Sequence, residues 1–117
     1  MNDEAFISSR IVDDDILVIK LHGKLDAASS PEFNAEVDQH FQQGKTKIII
    51  DCAHLGYVSS FGIGTLVTLQ ARLRKRGGAV KLAAIPAVVA DVFKLVHLDK
   101  LMEMYGDTEF ARQSFHD

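Results

Sequence analysis

With one cysteine, Cys52, the chain has no partner for an internal disulfide and too few thiols for a multi-cysteine zinc site. That scarcity fits a reducing, cytoplasmic setting. No apolar run approaches the ~20 residues that cross a bilayer. The acidic opening from Met1 to Phe6 lacks the basic and apolar regions of a signal peptide, so membrane insertion is not expected. Internal repeats, low-complexity tracts and Pro/Ser-rich linkers are also missing, and the 117 residues are expected to form one domain, 1–117. The balance of 47% hydrophobic and 25% charged residues is that of an ordinary globular domain and argues against disorder.

Catalytic patterns are equally sparse. The elbow G-x-S-x-G of serine hydrolases is absent around Ser59 and Ser60, which sit in Tyr57-Val58-Ser59-Ser60-Phe61, and no histidine is tied to either. Gly56 and Gly62 have five residues between them and no lysine after the second, which does not make a phosphate-binding P-loop. A receiver-type phosphoacceptor at Asp51 would need further acids at the preceding strand end, which reads Leu21-His22-Gly23. His22, His40, His54, His97 and His116 are scattered, without an H-x-x-x-H pair. Cys52 and His54 are close, but two ligands do not make a site, and each reads as a loop or surface residue. The aromatic residues fall mostly in apolar stripes, which leaves no stacking platform for nucleic acid, and the net charge of −3 gives no general case for it. No catalytic residue, metal or cofactor is expected, and the chain does not read as an enzyme.

The charge is unevenly placed. Residues 1–40 hold nine acids against three Lys/Arg, whereas residues 60–100 hold two against seven. Arg72, Arg74, Lys75 and Arg76 cluster as they would at the solvated C-terminal end of a helix, where cations offset the helix dipole.

What is present is a strong alternation of periods. Phe6–Val12, an Asp13-Asp14-Asp15 turn and Ile16–His22 read as a hairpin, with Leu17, Ile19 and Leu21 on one face. Ser29, Pro31 and Glu32 carry the marks of a helix start, including a capping box. Phe33, Val37 and Phe41 form that helix's apolar stripe, and Gly44 supplies its left-handed end. Lys47–Asp51, with Ile48, Ile49 and Ile50 unbroken, reads as a central strand covered on both faces. A loop, Cys52–Ser60, is expected next. A second helix then runs to about Arg76, burying Ile63, Leu66, Val67, Leu73 and, at the margin, Gln70. Ala79–Ile85 is a strand, and Pro86 opens a third helix with Val88, Val89, Val92, Phe93 and Val96 on its inner face. Leu101–Tyr105 is a short edge strand, and Asp107 caps a last helix carrying Phe110, Ala111 and Phe115. The order β-β-α-β-α-β-α-β-α implies an α/β fold: a mixed sheet, parallel at its centre, with helices packed against it. Ligand and partner sites of such sheets lie where strands end and helices begin, here loops 22–30, 51–62 and 85–87. In the densest of these, Gly62 and Gly64 sit in a helix's first turn. Two such poor helix formers there suggest a close backbone approach.

Three stretches resemble the STAS domain family, and within it the stand-alone bacterial anti-sigma factor antagonists. They are Gly23-Lys24-Leu25-Asp26, Asp51 through Gly64 ending in Ser60-Phe61-Gly62-Ile63-Gly64, and Ile85-Pro86-Ala87-Val88 with Phe93. The resemblance spans roughly residues 5 to 115. It implies a module switched by phosphorylation. The unphosphorylated form binds an anti-sigma factor, itself a serine kinase, and so releases a sigma factor; the phosphorylated form does not bind, and a phosphatase restores it. By position the phosphoacceptor is Ser60, with Ser59 the lesser candidate, and Asp26, Tyr57, Ser59, Phe61 and Gly62 form the partner surface around it. The best-known antagonists carry Asp just before the acceptor and a small residue just after, where this chain has Ser59 and Phe61. The alternative keeps the fold and makes the chain an unphosphorylated STAS subunit docking on an ABC transporter ATPase or another regulatory assembly.

Overall fold

The computed structural model describes residues 5–116. Five strands, β1 (Ile7–Val12), β2 (Ile16–Leu25), β3 (Lys47–Val58), β4 (Ala79–Ala83) and β5 (Glu103–Tyr105), form one sheet in chain order. β1 runs antiparallel to β2, and the remaining neighbours are parallel. The helices are α1 (Ser30–Phe41), α2 (Ser60–Arg74), α3 (Ala87–Leu95) and α4 (Thr108–Ser114), with a 3-10 turn at Leu98–Lys100. Because the parallel strands follow one another without reversal, right-handed crossovers deliver α1, α2 and α3 to the same face. The larger core forms there, from Leu17, Ile19 and Leu21 of β2, Ile48 and Ile50 of β3, and Phe33, Leu66, Leu73 and Phe93 of the three helices.

α4 turns back over the other face and covers only part of it, where Ile16, Val18, Ile49, Ala83 and Ala111 make a smaller cluster. That half-cover explains the burial of both strands. Ile16–Ile19 and Ile48–Ile50 are buried on both faces, whereas beyond Lys20 and Asp51 only Leu21, Leu25, Cys52, Leu55 and Val58 stay buried and the residues between them meet solvent. Buried Lys81 sits in this second layer. Its ammonium lies 4.1 Å from the Phe115 ring centroid and donates to Ser114 Oγ at 2.7 Å, so the charge keeps partners under α4.

Several boundaries differ from expectation. β2 continues to Leu25 rather than His22, and β3 to Val58, across residues 52–58 that read as loop. The register slips between Lys20 and His22 and again between Gly23 and Lys24. The extra residues in β3 break the period-two pattern by which a strand is recognised. Cys52, read as a loop or surface residue, is buried, and burial pushes its thiol up to about 12. β4 stops at Ala83 because Ala84 turns left-handed, with φ 58°. On α3 only Val89 and Phe93 are buried; Val88 and Val96 face solvent, as does Phe110 on α4. Gln70 is buried rather than marginal, and both ends of its amide are used: Oε1 accepts from Val80 N–H and Nε2 donates to Leu101 O. The capping box at Ser29 does not form, since that side chain makes no helix cap.

α4 is held at its outer side by Asp13 in the β1–β2 turn. One Asp13 oxygen lies 2.8 Å from Arg112 Nη1 and 2.8 Å from His116 Nε2, and Arg112 also grips Glu109. The Arg112 hydrogen bond, seconded by His116, holds the Asp13 carboxyl below the usual carboxylate range; Arg112 does the same for Glu109. An acid with a depressed folded pKa stabilises above its unfolded value, and the contribution is lost as pH falls through the folded one. Arg112→Gln should therefore move the Asp13 titration up toward the ordinary range. It should lower the melting temperature near neutral pH but not below the carboxylate range. An NMR titration of the Asp13 carboxyl alongside melts checks this; identical Asp13 titration in both proteins would contradict the clasp.

Candidate functional site

β4 pairs with β3 only as far as Asp51↔Ala83, whereas β2 and β3 stay paired to Leu25↔Val58. The two central strands thus project beyond the rest of the sheet as a two-stranded arm, and α2 starts at its tip. The junction is built on the last residue of β2. Leu25 O accepts from Ser59 N–H at 3.0 Å. A Cβ on Gly62 would stand 2.3 Å from that same oxygen, so the first turn of α2 rests directly on the strand end. Gly64 is different: a Cβ there would meet nothing within 4 Å. Of the two glycines in this turn, one is required by packing within the chain and the other is not.

The paired serines take different jobs. Ser59 is the N-cap of α2, extended at φ −83° and ψ 172°, and its Oγ accepts from Gly62 N–H at 3.1 Å. Ser60 is the first helical residue. It is exposed, and among the described residues its hydroxyl has no hydrogen-bond partner. The first N–H groups of a helix lack intrahelical acceptors and form its positive end. Ser60 Oγ therefore stands free at an electropositive helix start, flanked by Tyr57 and Phe61, which are 51% and 58% exposed.

Asp26 lies one residue beyond Leu25, and its carboxylate is turned into its own loop. Oδ1 accepts from Ala28 N–H and Ser29 N–H, each at 3.0 Å, and lies 3.2 Å from Ser29 Oγ. This Asx turn explains the lost capping box: Ser29 Oγ accepts from Asp26 N–H and donates back toward Lys24 O at 2.8 Å, so it is not available to α1. A buried polar chain, absent from the sequence reading, ties the same loop to α2. Thr65 Oγ1 lies 3.0 Å from Ser30 Oγ and 3.1 Å from Phe61 O, and Ser30 Oγ donates to Asp26 O at 2.7 Å. Thr65, four residues after Phe61, is where a helical hydroxyl can bond back to a carbonyl, which is the one sequence signal it gave. Among the described residues no three His, Cys, Asp or Glu side chains converge as a metal site. No helix of the structure is long and apolar enough to cross a membrane.

The STAS domain model matches residues 9–111 of this chain. An anti-sigma-B factor antagonist of Staphylococcus epidermidis is 24% identical over 99 residues, covering 85% of this chain and 92% of that protein. The fold is shared with a Thermotoga maritima protein at TM-score 0.88, 21% identical, with 95% of each chain covered. It is shared too with SpoIIAA of Bacillus in its phosphorylated form, at TM-score 0.72 and 23% identity, covering 92% of this chain and 98% of that one.

The local geometry separates neighbouring substitutions by stability. Ser59→Ala removes a cap and should cost about 0.5–2 kcal/mol, whereas Ser60→Ala should be close to neutral. Gly62→Ala should be strongly destabilising. Gly64→Ala should be neutral or stabilising by up to about 1 kcal/mol. Urea denaturation of the four variants checks the pattern, and equal losses at 62 and 64 would contradict it.

Proposed function

This chain belongs to the STAS domain family, and from that membership we propose that it is an anti-sigma factor antagonist whose binding is switched at Ser60. In this reading the unphosphorylated protein binds an anti-sigma factor with serine kinase activity and so frees a sigma factor. Phosphorylation of Ser60 ends that binding, and a phosphatase restores it. The observation that carries the reading is the division of labour between the serines: Ser59 Oγ is spent on Gly62 N–H, while Ser60 Oγ is exposed and unpartnered among the described residues. The name of the Staphylococcus relative supports the role.

The switch is physically economical. A phosphoryl group adds roughly −1.5 to −2 charges and three acceptor oxygens. At a helix N-terminus these meet free N–H groups and the positive dipole end, worth about 0.3–2 kcal/mol. The scaffold can carry the modification without rearranging, and the penalty falls on the partner. An unmatched dianion in an interface at about 4 kcal/mol weakens binding nearly a thousandfold. Tyr57 and Phe61 supply the aromatic anchors such interfaces favour, Gly62 keeps the helix start seated between them, and Asp26 shapes the adjoining loop.

Ser60→Ala should retain the fold and bind the anti-sigma factor permanently, while Ser60→Asp should weaken binding. Phe61→Ala should cost about 1–3 kcal/mol of affinity. Asp26→Asn should impair phosphorylation or affinity with little loss of stability. Calorimetry of the variants, with phosphosite mapping after incubation with the kinase and ATP, checks all four. Labelling of neither Ser60 nor Ser59, or recovery of an ABC-type ATPase instead of a kinase from the native cell, would overturn the reading.

A further inference from the structure

Among the described residues, the sheet face opposite α1–α3 is covered by α4 only over its first half, and the other half is basic. On β2, Lys20 and His22 alternate with buried Ile19 and Leu21, and Lys24 precedes buried Leu25. Arg10 pairs with Val18, a residue of the same second face, and Ser8 with Lys20, which brings Arg10 diagonally beside Lys20. On β3, His54 pairs with His22 and their rings stack with centroids 4.9 Å apart at 6°, while Tyr57 pairs with Lys24. Among the described residues, Arg10, Lys20 and Lys24 have no carboxylate partner, although the protein as a whole is acidic at −3. Asp51, the register partner of Lys20, is the acid beside them, and its Oδ1 accepts from Ala53 N–H.

We propose that this open half-face is a docking surface for an extended acidic segment of a partner protein. Charge complementarity selects the occupant. Lys20 and Lys24 lie four residues apart along β2, with Arg10 beside Lys20. The side chains on one side of an extended peptide lie along one line, so its acids reach both lysines and Arg10. The stacked imidazoles and the Tyr57 ring give the floor flat surface between the cations. Nucleic acid is the poorer fit, since Tyr57 is the one aromatic residue of the row outside the histidines and the chain as a whole carries a net charge of −3. The surface shares Tyr57 with the proposed partner surface at Ser60, but its cations Arg10, Lys20 and Lys24 lie outside that surface.

The test is a titration of the isotope-labelled full chain at low salt with a peptide of four Glu-Ser repeats, followed by amide chemical shifts. Saturable shifts should centre on Ser8–Arg10, Lys20–Lys24 and His54. Arg10→Thr/Lys20→Thr/Lys24→Thr should weaken binding about tenfold, and Lys75→Thr/Arg76→Thr should leave it unchanged. The inference is overturned by absent shifts, by shifts centred on the α2 end, by equal loss in both variants, or by tighter binding of an oligodeoxynucleotide at the same residues. Should the triple variant fail to fold, the wild-type shift map decides alone.

Discussion

The backbone carbonyl of Leu25 is the seat on which the rest of the site depends. It takes the Ser59 N–H and, at the same time, bears the bare Cα of Gly62. These two contacts set where α2 begins and how its first turn is aimed. An alanine at 62 would push that turn off the strand; an unpaired Ser59 N–H would leave a donor without acceptor at the tip of the arm. The arm itself exists because the hydrogen bonding of β2 to β3 runs on after β4 has ended. The extension carries α2's start out past the neighbouring strand ends, where a hydroxyl at position 60 meets solvent. The Asx turn at Asp26 and the Thr65–Ser30–Asp26 chain fasten the adjoining loop to the same helix. The site is thus rigid through backbone and small polar contacts rather than through large side chains.

That construction suits the proposed switch by a change of charge. Ser59 satisfies the amide of Gly62, so the helix start does not need Ser60 for its own stability. A group attached at 60 alters the surface and leaves the fold's contacts intact. The two faces of the sheet follow the same separation of duties. One is sealed by α1–α3 into the larger core; the other divides into a patch locked by α4 through Asp13, Arg112 and Lys81, and an open basic half.

Much of this was legible in the sequence, and the reasons for the remainder are local. Ile48, Ile49 and Ile50 announced a strand covered twice, and the period of Phe33, Val37 and Phe41 announced α1, because both segments keep one uninterrupted pattern. Residues 52–58 read as loop because Ala53, His54, Gly56 and Tyr57 are exposed and two register slips scramble the alternation around them. The inner face read for α3 was too wide, because its valines run round the helix: Val88 and Val96 face solvent, and the buried side is decided by the packing of Val89 and Phe93 in the core. The capping signature at Ser29 failed because Asp26 competes for the same hydroxyl, a contest a spacing rule does not see. The family resemblance singled out Ser60 over its neighbour by position; what distinguishes the two hydroxyls physically is a cap bond that depends on where the helix starts, within one residue.

The central claim is that the start of α2 can carry a charged group at 60 while its seat on Leu25 stays in place. The most direct measurement is amide hydrogen exchange at Ser59 and Gly62 in protein bearing genetically encoded phosphoserine at position 60, against the unmodified chain. Equal protection at both amides, with chemical-shift changes confined to the first turn of α2 and the arm tip, is the expected result. Loss of protection at Ser59, or shifts spreading through α1 and the sheet, would contradict it.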